Sequence, residues 1–107
     1  MNRNIRSGLV LVVVAFLASA ACFALSEGEA VYKSKCLNCH GANGVATSGM
    51  GSRMKVKPIT DPEVKKYTRL HMIEVTRDGV ARMQGYKSEL TDQQISDAVD
   101  YFRSFMK

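Results

Sequence analysis

Cys36-Leu37-Asn38-Cys39-His40 puts two thiols three positions apart, with an imidazole directly after the second. At that spacing one helical turn carries both sulfurs on the same side, and the backbone leaving Cys39 turns His40 underneath them. Three chemistries use such a pair. A zinc site wants four ligands, usually two Cys pairs or a Cys pair with a His pair at short spacing. Here there is one pair in the body of the chain, His40, and a distant His71. A thioredoxin-like dithiol follows a strand in a βαβ unit, whereas both flanks of this motif read helical. The third chemistry fits without strain. Cys-x-x-Cys-His is the attachment signature of a c-type haem, with two thioethers along one edge of the macrocycle and the histidine as proximal iron ligand.

That reading sets demands on the other residues. They must cover a flat apolar disc, supply a sixth ligand or leave that position open, and keep one edge near solvent. With 107 residues the chain has room for one domain. Residues 1–24 read as a secretory signal: Arg3 and Arg6 at the start, an apolar run from Leu9 to Ala18, then small residues to Ala21. The run is short for a bilayer span, so cleavage after Ala20, Ala21 or Ala24 is expected, with a haem domain over 25–107 in the periplasm. Cys22 is then a residue of the discarded signal. The alternative is a lipidated new N-terminus anchored to the membrane, although Ser19 stands where lipoprotein signals usually carry leucine. The chain has a formal net charge of +5, and Arg3 and Arg6 leave with the signal. The remainder is only mildly basic, and nucleic acid is not implied. A domain this small needs a staple, which a covalent haem provides.

Beyond the signal, Ser26 to Lys35 predicts a first helix, with Ser26 and Glu29 as a capping box. Gly28 is placed to let another helix cross closely. His40 to about Lys57 is rich in glycine and predicts a loop, expected to offer a carbonyl to His40 Nδ1–H. Thr60-Asp61-Pro62 opens a short helix to Lys66. A further helix, about Thr68 to Arg77, has Leu70, Ile73, Met72 and Val75 as buried candidates and Asp78-Gly79 as its stop. Gly79 to Ser88 is a loop containing Met83. Thr91 to Gln94 is a second capping box, opening a last helix to about Met106 with an apolar stripe of Ile95, Ala98, Val99, Phe102, Phe105 and Met106. Asp92, Asp97 and Asp100 fall outside that stripe. No stretch alternates as a strand does, so the fold class is all-α.

A soft thioether opposite histidine stabilises reduced iron and raises its potential. Beyond Met1 there are five methionines. Met50 and Met54 follow His40 closely, Met72 sits in a helix where it fills core, and Met106 is at a frayed end. Met83 lies in an irregular loop before the last helix, where a loop can cross the opposite haem face. It is the expected sixth ligand, with His71 as rival.

Gly28, Tyr32, the Cys36–His40 motif with Gly41, Met83 with Tyr86, and Leu90-Thr91-Asp92 before an apolar last helix resemble a class I monohaem cytochrome c. The resemblance implies that the first and last helices cross, near positions matching Gly28 and Tyr101, with short helices and loops wrapped round the haem. It implies haem c bound through Cys36 and Cys39, with His40 and Met83 as iron ligands. Two departures stand out. Gln84 replaces the proline that often follows the ligand methionine, which implies a less stiff loop. The proximal loop reads Ser48-Gly49-Met50-Gly51, without a proline to orient the histidine. The expected function is one-electron transport by a monomer that docks briefly with redox-partner proteins. The alternatives are a haem subunit of a larger oxidoreductase and a peroxidase-like enzyme with an open sixth site. A basic cluster of Arg53, Lys55, Lys57, Lys65, Lys66 and Arg69 is either a steering face for an acidic partner or a solubilising surface.

Overall fold

The computed structural model describes residues 27–107. The signal, Cys22 and the Ser26 cap lie outside the described residues. Helix α1 occupies residues 27–35, α2 Leu37–His40, α3 Gly49–Arg53, α4 Arg69–Asp78 and α5 Asp92–Arg103. Single 3-10 turns lie at Val64–Lys66 and Ser104–Met106. Among the described residues there is no strand, and one isolated bridge pairs Val80 with Met83. The all-α expectation holds.

Local chemistry fixes the long elements. The Thr91 side chain accepts from the Gln94 N–H while the Gln94 side chain accepts from the Thr91 N–H, so both orphan donors are satisfied at the start of α5. Thr68 caps α4 through the His71 N–H, and Gly79 ends it at φ 88°. Met72, buried at 5% exposure, and Thr76 mark the inner face of α4. Leu70, expected inside, is 64% exposed. It sits two residues before Met72, about 200° round the helix axis, so the register that buries Met72 turns Leu70 out.

The α1–α5 crossing sets the frame. A Cβ on Gly28 would overlap the Asp97 carbonyl oxygen and lie 2.7 Å from its carbonyl carbon. Only a glycine lets the two backbones meet there. The approach also covers Asp97, which is 8% exposed although it falls outside the apolar stripe. The Gln93 side-chain amide donates to its Oδ1 at 2.9 Å, so the buried carboxylate keeps a partner. Next along, Tyr32 packs on Tyr101, Phe102 and Phe105 with ring centroids 5.3, 6.1 and 5.7 Å away. Ile59, Val64, Met72 and Val99 form the adjoining core, with Ile73, Phe102, Phe105 and Met106 against it.

Two expectations for the middle of the chain change. The loop after His40 contains α3, capped by Ser48, whose Oγ accepts from the Gly51 N–H. The helix expected over Pro62–Lys66 shrinks to the 3-10 turn. Asp61 accepts from the Glu63 N–H as a helix cap does, but the Lys66 and Tyr67 N–H groups donate only three residues back, to Glu63 and Val64, which tightens the turn to 3-10 form.

Candidate haem-binding site

Cys36 to Gly41 forms one helical turn in the structure. The His40 N–H donates to the Cys36 carbonyl at 2.9 Å, and the Gly41 N–H to the Leu37 carbonyl at 2.8 Å. Neighbouring elements fasten this turn from three sides. The Tyr32 hydroxyl donates to the Gly41 carbonyl at 2.6 Å. The Ser48 hydroxyl donates to the Asn38 carbonyl at 2.7 Å. Helix α3 then lies so close that a Cβ on Gly51 would stand 2.5 Å from the Cys39 carbonyl oxygen and 2.7 Å from that of Ala46.

Cys36 and Cys39 are both unpaired thiols. Burial, with Cys39 alongside, pushes the Cys36 thiol up to about 11. A redox-active dithiol needs the opposite shift. Among the described residues no three His, Cys, Asp or Glu side chains converge as a metal cluster would. His40 packs edge-on to Phe102 with centroids 5.1 Å apart. Burial holds its imidazole below the ordinary value, in the neutral form that ligates metals. Its Nδ1 is buried without a hydrogen-bond partner, so the expected carbonyl contact is not made. The His40 carbonyl accepts from the Ala46 N–H at 2.9 Å. An aromatic wall, two thiols on one turn and a neutral, half-buried imidazole fit a covalently held haem.

Met83 closes a tight turn: its N–H donates to the Val80 carbonyl at 2.9 Å and its carbonyl accepts from the Val80 N–H at 3.0 Å. The chain after it is tied back to the motif. The Tyr86 hydroxyl donates to the Lys35 carbonyl at 3.2 Å, and Lys35 Nζ pairs with Glu89 at 3.2 Å. On its other side, Arg82 donates to the Arg53 carbonyl at the end of α3. The remaining candidates are placed elsewhere. Met72 is in the core, with Arg103 Nη1 3.7 Å from its sulfur. Met106 packs against that core, Met50 is exposed and Met54 half-buried. His71 is exposed on α4, edge-on to Tyr67 with centroids 4.7 Å apart. In the sequence Ser48 and Gly51 read as parts of a glycine-rich loop and Glu89 carries no signal, so the sequence alone does not reveal their ties to the site. The Ser48–Gly51 cap is the one local clue.

A helical domain whose first and last helices cross beside a half-buried Cys-x-x-Cys-His turn defines a c-type cytochrome. The sequence model of the family described as cytochrome C oxidase, cbb3-type, subunit III matches residues 23–102, and the chain belongs to that family. A solved structure described as KustC0563 c-type cytochrome is similar at 28% identity and a TM-score of 0.67, covering 75% of this chain and 98% of that one. No curated protein matches. Membership implies a covalently attached haem c, and cytochromes c are typically electron carriers.

Proposed function

We propose that this domain is a periplasmic one-electron carrier whose haem is held by Cys36 and Cys39 and lies between His40 and Met83. The observation that supports this reading is the tie from Tyr86, three residues after Met83, to the carbonyl of Lys35, the residue before Cys36. The haem, when attached, supplies the redox change. Cys36 and Cys39 would hold it covalently, Phe102 packs against His40, and a Met83 thioether on the iron would favour the reduced state. The ferric protein is expected to show the weak near-infrared methionine-to-iron band. Met83→Ala should abolish the band and lower the potential while the pyridine haemochrome spectrum still reports thioether-linked haem. An unchanged potential and spectrum in Met83→Ala would refute the ligand assignment. The band also excludes the peroxidase-like alternative, which needs an open iron.

The family description favours a second reading, a haem subunit of a larger oxidase. Gel filtration of a native extract separates the two: the carrier elutes at the size of one domain, the subunit with a large assembly. For either reading we place the docking face on Arg53, Lys55, Lys65 and Lys66. They have no carboxylate partner among the described residues, whereas Lys57 pairs with Glu63 and Arg69 with Asp100. Arg82 joins them at Arg53. An electron-transfer rate that falls as salt rises supports an acidic partner, and a rate insensitive to salt refutes it.

A further inference from the structure

Glu89 touches both sides of the candidate site with one carboxylate. Its Oε2 pairs with Lys35 Nζ at 3.2 Å, and its Oε1 accepts from the Gln84 side-chain amide at 3.4 Å. Lys35 is the residue before Cys36, and Gln84 is the residue after Met83. The Tyr86 hydroxyl adds a third tie, to the Lys35 carbonyl. The two contacts to Lys35 bridge 54 and 51 positions of sequence, while the Gln84 contact spans 5 and stays within the methionine segment. The Lys35 contacts therefore join two segments that nothing in the local chain holds together. Glu89 and Lys35 are each about two-fifths exposed on their side chains, so the junction is wet and open to ions.

Proline after the ligand methionine would stiffen this loop through its own backbone. Gln84 cannot do so, but it brings a donor that proline lacks, and Glu89 uses it. We propose that Glu89 is a positioning residue for Met83: a salt-sensitive latch, Lys35–Glu89–Gln84, closes the methionine loop onto the haem-attachment turn in place of a rigid proline. Breaking the latch frees the loop to swing Met83 away and opens that face to a small neutral nitrogen base. The proposal rests on Met83 being the iron ligand, and the test separates the two claims.

The experiment uses the ferric holoprotein, the near-infrared methionine-to-iron band and imidazole as probe. At saturating imidazole the binding rate reports how fast Met83 leaves. Glu89→Ala is expected to raise that limiting rate about two- to fivefold, the scale of one exposed ion pair with a side-chain hydrogen bond. The band of the resting protein stays, because the latch governs lability and not ligation. Lys35→Gln should act similarly, and the double variant should exceed neither single by much, since both break one unit. Raising salt from about 10 mM to about 1 M should quicken the unsubstituted protein and leave Glu89→Ala nearly unchanged. Equal limiting rates in Glu89→Ala and the parent, or fully additive effects in the double variant, overturn the latch. Absence of the band in the parent overturns the Met83 assignment and the latch with it.

Discussion

Gly51 shows how closely the haem-attachment turn is enclosed. Backbone carbonyls stand within 2.7 Å of where its Cβ would be, one from Cys39 and one from Ala46. Neither can yield as a flexible side chain does, so Gly51→Ala should cost about 1–3 kcal/mol, the usual range for overpacking. The denaturant midpoint of the holoprotein measures it, and a midpoint equal to that of the parent would show that α3 shifts freely. The sequence makes Cys36, Cys39 and His40 visible because their chemistry is contained in five consecutive residues. Gly51 and Glu89 act through segments brought near by folding, with no local pattern to mark that role, and Ser48 is marked only as a cap for α3. Leu70 errs the other way: its apolar character is plain, but the face it occupies is set by where α5 meets α4.

The elements differ in where their stability originates. Helix α5 begins with a complete capping box, legible in Thr91 and Gln94 because both partners lie within one turn. Thr91→Ala should lose about 0.5–2 kcal/mol. For a domain of this size that is a fall in Tm of several degrees, read by circular dichroism. An unchanged Tm would mean that tertiary packing alone sets the start of α5. Helix α3 was hidden for the opposite reason. Its five residues, Gly49–Arg53, include two glycines and make a poor helix by propensity. The Ser48 cap and the contact with the Cys39 carbonyl hold it, and the contact is tertiary. The crossing of α1 and α5 lies between these cases. Gly28 could be singled out, yet the burial of Asp97 could not, since helical spacing places Asp97 on the polar side and only the approach of α1 covers it. Gly28→Ala should push the helices apart at Asp97 and destabilise the holoprotein by a further amount in the 1–3 kcal/mol range, again measured by denaturant midpoint.

At the scale of the molecule, the aromatic cluster between α1 and α5 predicts alkaline sensitivity. Burial raises the Tyr32 hydroxyl above its ordinary value, and its proton is engaged by the Gly41 carbonyl. The folded state thus keeps a proton that the unfolded chain releases near pH 10. The stabilisation is whole below about pH 10 and is lost as pH rises beyond it. Tyr86, also raised chiefly by burial, adds to the same slope. Thermal melts across pH 8 to about 11 should show stability falling at the alkaline end, and Tyr32→Phe should flatten that fall while lowering stability at neutral pH. A Tyr32→Phe profile parallel to the parent would remove Tyr32 as the cause.

The contact of Gly28 with Asp97 also bears on the order in which the molecule is made. It closes nearly the whole domain into one loop, an entropic cost that comes before any reward from packing. The Cys36–Gly41 turn carries no such cost, because the backbone hydrogen bonds within it span four residues or fewer. The attachment turn is therefore able to form, and to accept its cofactor, in a chain whose ends have not met. A covalently held haem would then give the closing helices a large apolar body to condense around, with closure following attachment.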